Sequence, residues 1–260
     1  MEILNIDNIT IKFGGLTAVK HFKLELITGE LVGLIGPNGA GKTTVFNMIT
    51  GIYTPTENRI YFQNMDITRM KPDKIAKLGI ARTFQNVRLM ENLTVIDNVM
   101  IGFHLHLQSG LASAIFKFPG YVKEEENIYQ KSIELLEKVD LEKCKLEKAG
   151  SLPYGQQRRL EIARALATDP ELLLLDEPAA GMNPRETHAL MEFIKNIRDL
   201  FGLTIMLIEH DMRVVMGICE HIWVLDYGVL IAEGPPSFIQ SDKKVIEAYL
   251  GEEYARYVNG

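Results

Sequence analysis

One stretch of the sequence restricts the fold more than any other. The apolar run Leu31 to Ile35 leads directly into GPNGAGKT at positions 36–43, and residues 44–49 can continue as a helix. This stretch fits the pattern G-x-x-x-x-G-K-[ST], in which a tight loop joins a buried strand to a helix and turns its backbone N–H groups toward phosphate oxygens. The sequence therefore predicts a phosphate-binding loop at the end of a central strand.

The residue types in this loop point to a nucleotide with a divalent cation. Lys42 can reach the β- and γ-phosphates, the Thr43 hydroxyl can ligate Mg²⁺, and the helix N-terminus favours negative charge. We expect ATP and Mg²⁺ as the bound cofactors. The predicted nucleotide contacts in this loop are Gly36, Pro37, Asn38, Gly39, Ala40, Gly41, Lys42, Thr43 and Thr44.

A second apolar run, Leu172 to Leu175, ends in two carboxylates, Asp176 and Glu177. Taken alone, this is equally well an ordinary buried strand with a polar end. In a chain with a phosphate-binding loop, Asp176 is the candidate to hold Mg²⁺. Glu177 is then placed to polarise the attacking water as a general base.

The rest of the pattern predicts an α/β protein in two parts. Alternating apolar residues before position 30 predict antiparallel strands, and Ile80 to Phe84 is predicted as a further strand. Strand signals disappear between about Asp97 and Gly150. After Pro170 the order strand, helix, strand indicates a parallel sheet flanked by helices. Residues 103–126 are predicted to form an exposed helical excursion.

Charge and hydropathy limit the partners. A net charge of -6 argues against nucleic acid, because phosphate backbones normally require a concentrated basic face. The start MEILNIDNIT does not resemble a signal peptide, and no apolar run is long enough to cross a bilayer. We therefore expect any membrane role to come through a partner.

The order of motifs along the chain resembles that of ATP-binding cassette (ABC) ATPases. Besides the loop and the carboxylate strand, Gln85 matches the Q-loop, His210 the switch histidine and Leu152 to Gln156 the signature motif. Ala180 to Asn183 stands at the D-loop, and Phe13 stands where the family places the aromatic residue that stacks on adenine.

This resemblance implies a P-loop NTPase (RecA-like) core with an N-terminal antiparallel β subdomain and an inserted α-helical subdomain. It places the core at 1–84 and 168–260 and the helical subdomain at 85–167. It assigns Glu177, His210 and Gln85 to catalysis. It assigns the metal to Thr43, Gln85 and Asp176, and it adds Gly155 and Gln156 to the nucleotide contacts.

The sequence departs from the family pattern at three positions. The signature is usually L-S-G-G-Q, and here Pro153 replaces the serine and Tyr154 the first glycine. In the family, that serine hydroxyl helps to hold the γ-phosphate of ATP bound to the opposite subunit. The resemblance therefore implies that the contact here rests on Gly155, Gln156 and the start of the following helix. Asn183 replaces a common aspartate in the D-loop.

The segments LPYGQQRRLEIARAL, EPAAGMNP and VIEAYLGEE resemble ATPase subunits of branched-chain amino-acid importers. The resemblance implies an ATP-dependent homodimer, or a heterodimer with a related cassette, bound to transmembrane permease subunits and serving a solute-binding protein. It implies a cytoplasmic location, peripheral on the inner face of the cell membrane. The alternatives are a soluble ABC ATPase acting on ribosomes or DNA, and an ATP-binding module without turnover.

Overall fold

The computed structural model describes residues 1–85, 88–106 and 119–249 of the chain. The chain divides into two compact units, one made of Met1–Ile75 with Leu174–Gly260 and the other of Ala76–Leu173. Both predicted boundaries of the helical subdomain, after residue 84 and after residue 167, lie within the second unit.

The strands in chain order are β1 (Glu2–Phe13), β2 (Leu16–Ile27), β3 (Leu31–Ile35), β4 (Glu57–Phe62), β5 (Met65–Asp66), β6 (Ile80–Arg82), β7 (Leu172–Asp176), β8 (Thr204–Ile208), β9 (His221–Asp226) and β10 (Val229–Gly234). The helices are α1 (Lys42–Ile49), α2 (Pro72–Lys77), α3 (Val95–Phe103), α4 (Pro119–Lys138), α5 (Tyr154–Leu166), α6 (Pro184–Phe201), α7 (Met212–Ile218) and α8 (Pro236–Ile239). Residues 243–249 are also helical. No helix in the described ranges is long and apolar enough to span a membrane.

The first unit contains an antiparallel sheet in the order β2-β1-β4-β5. Ile6 of β1 lies opposite Leu24 of β2 on one side and Ile60 of β4 on the other. All three side chains are buried, as expected of strands that alternate apolar and polar residues and keep one face in the core. The predicted N-terminal antiparallel subdomain is confirmed.

The second sheet of this unit runs in the order β10-β9-β3-β8-β7. Strand β3 pairs in parallel with both β8 and β9, and β10 closes an antiparallel hairpin with β9. Every residue of β3, β7 and β8 is buried, which explains why these strands are apolar except for Asp176 at the end of β7 and Thr204 at the start of β8. The predicted α/β class of a P-loop NTPase is confirmed.

The second unit is mainly helical, and α3 contacts both α4 and α5. Thr94 and Asp97 form a capping box that starts α3. A Cβ on Gly102 would lie 2.5 Å from the carbonyl oxygen of Arg164, so glycine allows α3 and α5 to approach closely. The segment predicted as a helical excursion is described only up to His106 and again from Pro119, where α4 begins; residues 107–118 lie outside the described ranges.

A strand predicted over residues 80–84 ends earlier in the structure, at Arg82. The backbone of Phe84 bonds instead to two side chains of α5: its N–H donates to Glu161 and its carbonyl accepts from Arg158. Such side-chain partners satisfy the backbone without a neighbouring strand. The end of this strand was therefore set by residues far away in the sequence.

Candidate functional site

The loop between β3 and α1 is held in shape by its glycines and by its lysine. Gly36 has φ 147°, and a Cβ there would lie 2.0 Å from the carbonyl oxygen of Leu225, so no other residue fits. Lys42 is buried, and its Nζ donates to the carbonyls of Gly36 at 2.6 Å and Pro37 at 2.9 Å. The ammonium group is thus enclosed by the loop that precedes it.

The first turn of α1 suits an anion. Gly41 precedes the helix with φ 103°, makes no side-chain cap, and no acidic residue lies in the first turn. Thr43 is exposed, so its hydroxyl is accessible. A helix N-terminus with an adjacent lysine attracts phosphate through its backbone N–H groups and its dipole.

Phe13 ends β1 with its ring partly exposed, and its ring contacts Tyr53 edge to face at a centroid distance of 5.1 Å. Tyr53 follows α1, and its backbone N–H donates to the carbonyl of Asn47 in that helix. Tyr53 was not predicted from the sequence, because an isolated aromatic residue in a turn gives no signal. The pair presents an aromatic surface of the kind that can pack on a nucleobase.

Glu177, which follows β7, and His210, which lies beyond the end of β8, meet at one edge of the sheet. The N–H of Glu177 donates to the carbonyl of Ile208 at 2.9 Å, so the two strands end side by side. Glu177 Oε2 then lies 3.6 Å from His210 Nδ1. Because β8 also neighbours β3, the phosphate-binding loop leaves the sheet at this same edge.

Glu177 itself has an unusual backbone conformation, with φ 46°. A non-glycine residue in the left-handed region costs about 1 kcal/mol or more, and such strain persists only where surrounding contacts enforce it. Here the carbonyl of Glu177 accepts from the N–H of Ala180, and its N–H is bonded to β8. The side chain is thereby directed from a fixed backbone.

Glu209, which immediately precedes His210, is a residue that sequence reasoning missed. It is buried, its Oε1 accepts from the N–H of Ala179 at 2.8 Å and its Oε2 from the N–H of His210 at 3.2 Å. Burial raises the pKa of this carboxyl above its ordinary 4.5, although these hydrogen bonds oppose the shift. The only sequence signal was an acidic residue at the end of a buried strand. Glu209 ties the segment after Glu177 to the segment that carries His210.

Asn183 at the D-loop position caps α6. Its side chain accepts from the N–H groups of Arg185 and Glu186 at 3.0 Å, and Glu186 accepts in return from the N–H of Asn183. Asparagine and aspartate are about equally favourable in this role, so the substitution leaves the cap intact.

In the second unit, Gln85 is exposed, and its carbonyl accepts a hydrogen bond from Arg158. The signature residues open α5, where Pro153 is the N-cap and provides no side-chain hydrogen bond. Gly155 lies in open space, since a Cβ built there has no neighbour within 4 Å. The missing serine thus leaves this helix N-terminus without a side-chain cap.

Within the described ranges, no three His, Cys, Asp or Glu residues cluster as a metal site would require. Mg²⁺, however, is commonly held by one or two protein oxygens together with substrate phosphates and water. Thr43, with its accessible hydroxyl, and Asp176, buried at the end of β7, are oxygen donors of that type. The residues present therefore fit this cation.

Known proteins are similar to this chain in both sequence and fold. Residues 19–180 match the family described as ABC transporter, and residues 229–255 match the family described as branched-chain amino acid ATP-binding cassette transporter. The chain is 45% identical over 250 residues to the high-affinity branched-chain amino acid transport ATP-binding protein LivG of Escherichia coli (strain K12). This alignment covers 96% of this chain and 98% of LivG.

Among solved structures, the ADP conformation of MJ1267, an ATP-binding cassette of an ABC transporter, superposes with a TM-score of 0.85 at 35% identity, over 96% of this chain and 99% of that one. A dimeric post-hydrolysis state of the ATP-binding cassette MJ0796 bound to ADP and Pi superposes with a TM-score of 0.73 at 27% identity, over 90% of this chain and 99% of that one. The chain, with its phosphate-binding loop and carboxylate strand on one sheet edge, therefore belongs to the ABC transporter family as an ATP-binding cassette.

Proposed function

We propose that this ABC ATPase hydrolyses ATP to drive the uptake of branched-chain amino acids through permease partners. The observation that carries the proposal is the 3.6 Å approach of Glu177 Oε2 to His210 Nδ1, in the unit that also contains the loop with Lys42. A carboxylate and an imidazole at this spacing can share the handling of a water proton. A module that only binds ATP has no need of such a pair.

In the proposed reaction, the buried ammonium of Lys42 and the N–H groups of the α1 N-terminus hold the phosphates of ATP. Glu177 accepts a proton from the attacking water, and His210 stabilises the arrangement from the neighbouring strand. The strained backbone of Glu177 aims its carboxylate before substrate binds, so less reorganisation is needed at the chemical step. Phe13 packs on the adenine.

Mg²⁺ would be held by Thr43 and Asp176, and when bound it neutralises charge on the phosphate oxygens. Assignment of Gln85 to the same cation stays a prediction from the family resemblance. The buried position of Asp176 at the end of β7 supports its proposed role.

The signature residues support assembly as a dimer of cassettes. Gly155 faces open space in a helix, where alanine would be the more stabilising residue. A glycine is useful at such a position when another molecule approaches closely. We assign that approach to the γ-phosphate of an ATP molecule on a second cassette, either a copy of this chain or a related one. The dimeric MJ0796 cassette supports this arrangement.

The solute is inferred from the relatives, because no residue of a cassette need touch it. LivG carries branched-chain amino acid transport in its name, and the match at 229–255 is to a family of the same description. We place the protein on the cytoplasmic face of the membrane, with the permease subunits and, through them, a solute-binding protein as its partners.

The test is uptake of labelled leucine into vesicles that contain this chain with the permease subunits and solute-binding protein of a branched-chain amino-acid importer. We expect uptake only with ATP and this subunit together, and none when Glu177→Gln replaces it. Labelled histidine serves as a solute of another class. ATP hydrolysis without leucine uptake would support the assignment as an ATPase and contradict the assignment of branched-chain amino acids as the solute.

A further inference from the structure

A buried ion pair in the second unit has no part in the proposed reaction. Arg158 and Glu161 lie three residues apart on α5, join at 2.8 Å, and are each 1% exposed. Charged groups are costly to bury, and replacing such a pair by apolar residues of similar size is often neutral or stabilising. The stability of the fold therefore gives no reason for this pair.

Both side chains bind the backbone of the Q-loop, of which the structure describes Phe84, Gln85 and Arg88. Arg158 donates from Nη1 to the carbonyl of Phe84 at 2.9 Å and from Nη2 to the carbonyl of Gln85 at 2.5 Å. Glu161 Oε1 accepts from the N–H groups of Phe84 at 3.3 Å and Arg88 at 3.4 Å. Arg158 thus bonds to backbone carbonyls of the loop, and Glu161 bonds to its backbone N–H groups.

The same arginine also reaches the signature motif. Its guanidinium carbon lies 5.9 Å from the ring centroid of Tyr154, the first residue of α5. One side chain therefore contacts the Q-loop backbone and the signature residue that replaces glycine.

We propose that Arg158 and Glu161 are positioning residues that fix the Q-loop to the signature helix, so that Gln85 and residues 154–156 keep one mutual arrangement during ATP turnover. The proposal rests on the proposed function, since these two segments matter together only in a cassette that hydrolyses ATP. It requires arginine specifically: a planar guanidinium reaches two carbonyls and a carboxylate at once, whereas a lysine ammonium is a single point of charge.

Two variants separate positioning from folding. In Arg158→Met/Glu161→Leu both charges leave together, so no unpaired charge stays buried. In Arg158→Lys a positive charge still neutralises Glu161, but the planar guanidinium that reaches several acceptors at once is lost. The matched control is Glu142→Gln/Lys145→Gln, which removes a more exposed pair of the same three-residue spacing in the same unit.

Thermal unfolding, amide hydrogen exchange, nucleotide affinity and steady-state hydrolysis are measured on each full-length protein. In the apolar variant we expect the amides of Phe84 and Arg88 to exchange at least about tenfold faster, because their acceptor is gone, while α3 amides keep their protection. We expect kcat to fall about tenfold, with ATP affinity within about twofold of wild type, since the phosphate-binding loop belongs to the other unit. Arg158→Lys should fall between wild type and the apolar variant, and the control should match wild type.

A wild-type kcat in the apolar variant would overturn the proposal, as would wild-type exchange and kcat in Arg158→Lys. A purely structural role would also overturn it, and would show as lowered thermal midpoints with exchange raised throughout the unit in both variants. Absence of ATP hydrolysis in the wild-type protein would instead reject the proposed function, a result that the variants do not affect.

Discussion

Glu177 Oε2 lies 3.6 Å from His210 Nδ1, although the two residues follow different strands and a helix separates them in the sequence. The backbone bond from Glu177 to Ile208 brings the strand ends together, and the buried Glu209 fixes the neighbouring Ala179. The proton transfer that we propose at this edge therefore depends on a geometry that the fold imposes before ATP binds.

Glu177→Gln should nearly abolish hydrolysis, because it removes the proposed general base, and loss of a general base typically costs a factor of about 10² to 10⁴ in rate. ATP binding should survive, and the protein should then dimerise with ATP and stay monomeric with ADP. Light scattering on a sizing column, at several protein concentrations with each nucleotide, measures this. Glu192→Gln, on the exposed surface of α6, is the control. If the variant is inactive and binds ATP but stays monomeric, the role assigned to Glu177 still holds, and the expected ATP-dependent homodimer is wrong.

Lys42→Met should abolish hydrolysis and weaken ATP binding, since a phosphate-directed cation is lost while the packing of the buried stem is kept. Fluorescent ATP titration and phosphate release provide the two readouts. Lys23→Met, an exposed lysine of β2, removes the same charge elsewhere in the unit and should behave as wild type. Unchanged turnover in Lys42→Met would remove the assignment of the loop.

Gly155→Ala should make the isolated fold at least as stable as wild type, because the new methyl group meets no neighbour within 4 Å and alanine favours a helix. ATP-dependent dimerisation and hydrolysis should nevertheless fall, since the methyl group would stand where the partner's nucleotide approaches. The matched control is Gly120→Ala in α4, where a Cβ also meets nothing within 4 Å. Equal activity of the two variants would argue against a nucleotide at the signature helix.

Met90→Glu should impair assembly with the permease subunits but spare hydrolysis by the isolated protein. The Met90 side chain is 52% exposed, while its backbone is fixed by two hydrogen bonds to the buried Asn98. A charge there alters an accessible surface without moving the chain. Leu89, beside it in the chain, is half-buried, and residues 86 and 87 lie outside the described ranges.

Co-purification with tagged permeases measures the assembly of this variant. Met65→Glu, at a methionine that is 46% exposed in the first unit, is the control. If Met90→Glu unfolds the isolated protein, this side chain belongs to the core, and the expected contact of Met90 with the permease subunits is wrong.

Asp211→Asn should show a pH-dependent loss of stability. The hydrogen bond from the Arg213 side chain holds the pKa of Asp211 below its ordinary 3.8. The carboxyl of Asp211 therefore binds a proton more readily in the unfolded chain than in the folded chain. The stabilisation is therefore fully present above pH 3.8 and is lost as the pH falls through the folded-state pKa.

Asparagine keeps the N-cap of α7, so this variant isolates the charge. We expect a free energy of unfolding lower than that of wild type by about 1 kcal/mol or less at pH 7, because Arg213 is largely exposed. Urea denaturation between pH 7 and pH 3 should show the difference shrinking below pH 3.8. A constant difference would mean that the pair contributes no linked proton.

The sequence by itself determined the features that depend on neighbours along the chain. The phosphate-binding loop could be predicted because its glycines, lysine and threonine form one short pattern between a strand and a helix. Strands β3, β7 and β8 could be predicted because strands buried on both faces consist almost entirely of apolar residues. The pair Asp176 and Glu177 was found because it ends such a strand.

The tertiary structure alone decided the features that need partners from distant segments. The left-handed backbone of Glu177 exists because β8 and Ala180 bond to it, and a glutamate in a sequence carries no sign of that conformation. The predicted strand at residues 80–84 stops early because Arg158 and Glu161 take over the backbone of Phe84. Buried polar groups must find partners somewhere, and which ones they find is settled only when the chain has closed on itself.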